Sequence, residues 1–237
     1  MSTIVITTQP LLKKGTLHFP ILTDRLIIRP LILSDLDAFH SLRIQPEAMA
    51  HSGQDGPDTN IGQTLAELEI LMQPYPHTLA YCGVFLKNSD GYEGELIGDG
   101  GMWGLLSKET GWPVFGYKFK KEHWGLGYAT EFATAYMQFW WGIDRTHVKT
   151  IVASCTVNQT DELQVVPEQM YAWTTKENKA SQRVLHKVGF RSFEGLDNGL
   201  INWRLEKDSW FFFPVLSKLL SGQVISFGLS NPSTHST

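Results

Sequence analysis

Trp124-Gly125-Leu126-Gly127-Tyr128-Ala129-Thr130 is the stretch best placed to do chemistry. It follows a predicted strand, Val114 to Lys120, and opens a predicted helix running to about Trp141. A small-residue turn entering a helix leaves several backbone N–H groups without partners, all aimed at one point. With the positive end of the helix dipole they suit a pyrophosphate, and glycines there let the ligand come close. Such turns also serve plain packing, so the turn alone decides nothing. Further along, Asn178 heads another predicted helix, and Ser181 lies one turn on, on the same face. The pair could border a site, or Asn178 could simply cap its helix. Glu95, Asp99 and Glu131 are candidate bases, although each also reads as an ordinary surface group, Glu131 as a first-turn charge favoured by the dipole. Cys82 and Cys155 have no persuasive His partner, so no acyl-cysteine is expected. Two cysteines, inside predicted strands, make neither a disulfide framework nor a metal cluster, and no metal is expected.

These groups need a scaffold to bring them together. Residues 1–20 read as an extended arm, and Arg25 to Leu31 as a strand. Ser34 caps a helix to about Ile44, residues 51–60 are a loop by composition, and Ile61 to Met72 form a second helix closed by Pro74 and Pro76. Strands follow at Leu79–Leu86 and Glu95–Trp103, joined by a turn at Asn88-Ser89-Asp90-Gly91, and Val114–Lys120 completes the meander. Tyr128, Phe132, Ala135, Tyr136 and Phe139 stripe the next helix with apolar groups. Val148–Val157 is β-branched enough to be a strand. Asn178–Val188 is a helix stopped by Gly189, and Phe190–Glu194 and Leu200–Leu205 pair as the last strands. Residues 158–175 look like a polar insertion, a loop around Pro167. The segment Trp210-Phe211-Phe212-Phe213-Pro214-Val215-Leu216 is too apolar for water. It should pack on the domain or on a second copy of the chain, as a homodimer through the extension 207–237, whose end reads as disordered.

The sum is α+β: one domain over 21–206, with a mixed, mostly antiparallel central sheet flanked by helices. It is not a dinucleotide-binding βαβ unit, because the strand before the glycine turn comes from an antiparallel meander, and only Asp144 lies near the distance expected of a ribose-holding acid. In 237 residues there is ample chain for a core. Apolar content of 42% with 19% charge is that of a globular protein, and a net charge of −4 without a Lys/Arg run argues against nucleic acid as a partner. No apolar run is long enough to span a membrane, and the first twenty residues lack the apolar core of a secretory signal. A cytoplasmic location is the expectation, which would leave the sequon at Asn158 unused. Of eight tryptophans, Trp103, Trp112, Trp124 and Trp203 lie in or beside strands and loops, where lining a pocket competes with filling the core.

Four blocks, in order over roughly 22–205, make the chain resemble the GCN5-related N-acetyltransferases (GNAT), and within them the branch typified by ribosomal-protein alanine N-acetyltransferases. They are Leu22 to Leu31, Leu96-Ile97-Gly98, Gly116-Tyr117 through Glu131, and Asn178 to Phe190. The resemblance implies acetyl-CoA as co-substrate and an amine as acceptor, joined by direct attack. It implies that the N–H groups from Leu126 to Thr130 hold the pyrophosphate, with Trp124 where many relatives have Gln or Arg, and Gly125, Gly127, Tyr128 and Ala129 completing the signature. It also places Gly116, Tyr117, Lys118 and Phe119 along the pantetheine arm and Asn178 against it, and makes Ser181 a proton donor to the leaving thiolate. Two usual proton handlers are missing: Val114 stands where many relatives have Glu, and Leu185 where many have Tyr. The acceptor is either a small amine or a protein N-terminus, with the insertion favouring the former. Asp55, Asp58, Asp161, Glu162 and Glu168 could draw a cationic amine, or serve only for solubility. The rival functions are a non-catalytic CoA-binding module and, further off, a nucleotide-dependent oxidoreductase.

Overall fold

A computed structural model describes residues 1–12, 18–72, 79–157 and 163–210. Five strands, β2 (Ile21–Leu22), β3 (Leu26–Pro30), β4 (Leu79–Lys87), β5 (Glu93–Met102) and β6 (Phe115–Phe119), lie side by side in that order, all antiparallel. Their side chains alternate between two cores. Leu26, Ile28, Cys82, Val84 and Ile97 face one core, together with Phe132, Tyr136 and Trp140 of α4 (Tyr128–Gly142). Ile27, Tyr81, Phe85 and Leu96 face the other, built with α1 (Leu36–Arg43) and α3 (Ile61–Leu71). A sheet covered on both faces is why Leu26-Ile27-Ile28 reads as an unbroken apolar run. Between α1 and α3 the short α2 (Pro46–Met49) precedes the loop at 51–60. Ser34 does not cap α1. It sits inside a 3-10 turn, Leu33–Asp35, which Asp35 holds by accepting from the Ile32 N–H at 2.9 Å.

A second sheet carries β9 (Gln169–Thr174), β11 (Ile201–Glu206) and β10 (Arg191–Phe193), antiparallel in the order β10-β11-β9. It meets β6 at one parallel bridge, Val114 with Tyr171, where the Tyr171 N–H donates to the Pro113 carbonyl at 2.8 Å. Beyond it β6 bonds only to β5 and β9 only to β11. The mixed, mostly antiparallel, helix-flanked arrangement read from the sequence is thus present, and its two strands β6 and β9 part beyond the bridge.

This corrects the reading of 158–175 as a loop. Residues 169–174 are the strand beside β6, and residues 158–162 lie outside the described residues. Met170 and Ala172 fill the α4-side core while Tyr171 packs on the other face with Trp112. Few of its residues are β-branched, so polar neighbours masked it. The β-branched segment instead forms β7 (Arg145–Ala153), ending earlier than expected, with Cys155 in a following 3-10 turn, Ser154–Thr156. β7 pairs antiparallel with β1 (Ser2–Pro10), from Ser2 opposite Ala153 to Pro10 opposite Arg145. β8 (Gln164–Val165) adds a parallel edge to β1. Burial of Val5 and Val152 against Trp112 and Tyr171 explains the docking of this third sheet. At its base Glu168 accepts from Arg145 Nε at 2.8 Å and from the Thr8 hydroxyl at 2.9 Å.

The last helix, α5 (Lys179–Lys187), packs beside α4 and ends at Gly189, whose φ of 97° no β-branched residue would adopt. Trp210 is buried in the α4-side core; the rest of the apolar extension lies outside the described residues.

Candidate active site

The glycine turn is built as its sequence suggests. After β6 a 3-10 turn, Lys121–His123, leads to Trp124, whose indole N–H donates to the Phe119 carbonyl at 2.8 Å. Gly125 (φ 75°) and Gly127 (φ 87°) are both left-handed, and α4 starts immediately after. The first N–H groups of the helix, from Tyr128 to Thr130, have no carbonyl a turn behind them and point into the space before the turn. Behind the turn stands Arg25. It donates to the Leu126 carbonyl at 3.0 Å, lies over the Tyr128 ring at 4.5 Å, and pairs with Glu131 at 2.6 Å. Glu131 also accepts from the Thr23 hydroxyl at 2.7 Å and the Arg25 N–H at 3.0 Å. Although partial burial opposes it, these bonds hold the Glu131 carboxyl below its ordinary range. Glu131 is thus a strut for the turn and not a free base. Nothing near Thr23 or Arg25 in the sequence announces this, because the partner is more than a hundred residues away.

Where β6 and β9 part, a cleft of about 680 Å³ opens and runs on to the glycine turn. All predicted site residues except Leu126 line it: Tyr117, Lys118, Phe119, Trp124, Gly125, Gly127, Tyr128, Ala129, Thr130, Asn178 and Ser181. Leu126 turns its carbonyl to Arg25 and its side chain to solvent. Asn178 both caps α5 and borders the cleft. Its Oδ1 accepts from the Ser181 N–H at 3.1 Å, which leaves the amide nitrogen as the group able to meet a ligand.

Side chains of β6 alternate across the sheet. Tyr117 faces α4 and α5 among Phe115, Phe119 and Phe132. Burial pushes its phenol well above the ordinary value, with Ser181 close enough to oppose that shift, although the two hydroxyls are not aligned into a proper hydrogen bond. The placement of Tyr117 beside Ser181 was not visible in the sequence, where Tyr117 registers only as part of the pantetheine strand. Lys118 faces the opposite way. Its ammonium lies 2.7 Å from Asp99, which is fully buried, and 3.5 Å from the Tyr81 hydroxyl. Only the backbone of Lys118 is left for a ligand. Burial raises the Asp99 carboxyl, Lys118 opposing, and burial together with the Asp99 charge raises the Tyr81 phenol far above its usual value.

On that second face, Trp103 packs against Tyr81 at 4.6 Å between centroids, the rings tilted by 53°, and covers Gly116. Across the cleft Trp173 packs on Gly53, and His51 Nδ1 meets the Thr175 hydroxyl at 3.2 Å. The loop at 51–60 is thereby tied to the far wall. Trp103 and Trp124 are pocket tryptophans, 44% and 47% exposed; Trp112 and Trp203 are core.

Several expected acids are occupied. Asp58 holds Arg43 at 2.6 Å, and Glu168 is buried on Arg145, so neither attracts a substrate amine. Asp161 and Glu162 lie outside the described residues. Glu95, Glu122 and His123 bring ligand atoms within 4.8 Å of one another, but Lys120 already sits 2.7 Å from Glu95 and Gln45 donates to Glu122. Among the described residues no helix is long and apolar enough to cross a membrane.

Against known proteins, the family described as "Acetyltransferase (GNAT) domain" matches residues 25–191. No curated protein matches the chain at a significant level. Solved structures share the fold at low identity. Mycobacterium smegmatis RimJ in complex with CoA-disulfide superposes with a TM-score of 0.58 at 15% identity, over 84% of this chain and 90% of that one. A GNAT-family acetyltransferase from Bacillus anthracis gives 0.56 at 18%, over 80% and 99%. The Vibrio cholerae spermidine N-acetyltransferase with CoA and spermine gives 0.51 at 14%, over 80% and 99%.

Proposed function

From the premise that the chain belongs to the GNAT acetyltransferase family, and is thereby an acetyl-CoA-dependent N-acetyltransferase, we propose that it acetylates a small primary amine in the cleft between β6 and β9. The observation that carries this reading is the parting of β6 from β9 in line with the glycine turn. One free strand edge and one anion-binding helix start then lie along a single groove, as an extended amide-bearing arm ending in a pyrophosphate requires. Tyr128 to Thr130 receive the pyrophosphate. The free edge of β6 and the Asn178 amide take the pantetheine amides, and the thioester lies near Tyr117 and Ser181.

The acceptor enters from the face of Trp103 and Tyr81. Its neutral nitrogen attacks the carbonyl carbon, the C–S bond breaks, and the amide nitrogen gives up one proton to solvent while the thiolate takes one from the Tyr117–Ser181 pair. Burial keeps the Tyr117 phenol protonated at neutral pH, so it cannot act as the base, and its proton can be passed on through Ser181. An α-amine of pKa ~8 needs no dedicated base, whereas an alkylamine of ~10.4 needs the rising neutral fraction at alkaline pH. The loop tied by His51 and packed on Trp173 narrows the acceptor side, and this favours a small amine over a protein N-terminus.

The test is release of CoA thiol across a panel of small amines and N-terminal peptides, with Tyr117→Phe, Ser181→Ala and the double variant. Small amines turn over and peptides do not. The worse single variant loses ~10²-fold in kcat, the usual contribution of a positioned proton donor, and the double variant is little worse, since one proton is at stake. Peptides outrunning every small amine would overturn the acceptor assignment, and full activity in the double variant would overturn the proton donor.

A further inference from the structure

Helix α5 carries a feature that acetyl transfer does not use. Lys179, Arg183 and Lys187 recur every fourth residue and so stand in one row along the helix. All three are exposed, and all three line the same cleft as the glycine turn. With Gln182 and His186 they also border a shallower depression on its outer side. Among the described residues none of the three forms a salt bridge, and Lys179 has only a 3.4 Å contact to Gln182. From 176 to 193 the chain has Lys176, Lys179, Arg183, Lys187 and Arg191 against the single acid Glu177, in a protein of net charge −4. Like charges four residues apart repel, and a lysine in the first helical turn opposes the dipole. The row therefore costs the helix stability and has no internal anion to offset it.

We propose that this row is the binding site for the 3′-phosphate of CoA, so that the enzyme selects CoA over donors that lack that group. The proposal rests on acetyl-CoA lying in the cleft. With the pyrophosphate on the N–H groups of Tyr128 to Thr130, the ribose phosphate leaves the turn beside α5, which packs against α4. A phosphate monoester carries nearly two negative charges at neutral pH. A guanidinium at Arg183 can grip it through two N–H groups while the flanking ammoniums act as mobile point charges. Acyl groups carried on a protein-bound phosphopantetheine lack this phosphate and would forfeit the interaction.

Calorimetric titration with CoA and with 3′-dephospho-CoA, at low and physiological salt, tests it in the wild type and in K179Q/R183Q/K187Q. Glutamine keeps helix propensity at exposed positions, and the wild-type comparison needs no variant. The wild type should bind CoA at least tenfold tighter than dephospho-CoA, by a margin that shrinks with salt. The triple variant should bind both nucleotides as the wild type binds dephospho-CoA. Equal affinity of the wild type for the two nucleotides overturns the proposal and leaves the acetyl-CoA reading intact. So does an equal loss of both nucleotides in the variant, or tighter binding of a phosphopantetheinylated carrier protein than of CoA. Binding of neither nucleotide overturns both readings.

Discussion

Replacing Glu131 with Gln separates a strut from a base. In the structure Glu131 takes hydrogen bonds from the Thr23 hydroxyl, the Arg25 N–H and the Arg25 guanidinium, and Arg25 in turn holds the Leu126 carbonyl. Hydrogen bonds to a charged group contribute ~1.5–3 kcal/mol when well shielded, whereas exposed ion pairs contribute ~0.2–1 kcal/mol. The Arg25 side chain is 47% exposed and that of Glu131 18%, which places this clamp between the two ranges, at ~1–2 kcal/mol. If that energy keeps the turn in its binding shape, losing it lowers the competent fraction, and the apparent affinity for acetyl-CoA falls in proportion. A change of ~1–2 kcal/mol corresponds to roughly 5–30-fold. Steady-state kinetics of E131Q should therefore show KM for acetyl-CoA raised within that range and kcat nearly unchanged. A fall in kcat at constant KM would make Glu131 the base after all; a lower melting temperature with both constants intact would make it structural only. The pH dependence follows from the lowered carboxyl. Its stabilisation is complete above the unfolded value of ~4.3 and is lost as pH falls through the lower folded value. Affinity for CoA should thus show no Glu131-linked change in the neutral range, and should weaken only below that unfolded value.

Two further variants probe the turn and the third sheet. Gly127→Glu forces a side chain onto a φ of 87°, at a cost of ~1–2 kcal/mol, places its Cβ 3.4 Å from Arg25 Nη2, and adds a negative charge to the turn that would hold the pyrophosphate. Calorimetry should find no CoA binding while the far-UV circular dichroism stays that of the parent, and unaltered affinity in the folded variant would reject the anion site. Glu168→Gln leaves the Arg145 guanidinium, 7% exposed, without its counter-charge. Breaking a buried pair costs ~3–5 kcal/mol, so urea unfolding should shift by that order, and a change below ~1 kcal/mol would show that the pair is solvated like a surface one.

What could be read in advance follows from the range over which each interaction acts. The glycine turn, the α4 stripe and the Asn178 cap are set by neighbours within a few residues, and the structure places each where the pattern put it. The meander of β4, β5 and β6 is equally local, since each strand pairs with the one before it, whereas β3 joins it across the helices α1 to α3. The β1–β7 pairing and the position of β9 join segments far apart in the chain. No period in either segment names its partner: Val148–Val157 has the composition of a central strand, yet packing sends it to the N-terminal arm, while Gln169–Thr174 takes the place beside β6.

The same distinction separates the site residues. The Asn178 cap and the left-handed Gly127 are set by adjacent residues, so their positions could be read from the sequence alone. Tyr117, Lys118 and Glu131 acquire their roles only through Ser181, Asp99 and Arg25, each brought from another element. Lys118 shows the consequence. By motif it belongs to the pantetheine strand, but alternation turns its side chain through the sheet to a buried carboxylate, so that only its backbone is left for a ligand in the cleft. Beside Tyr81 the ammonium is already in place, and the Asp99 carboxylate supplies its counter-charge; removing that carboxylate would leave an uncompensated cation at the wall of the cleft.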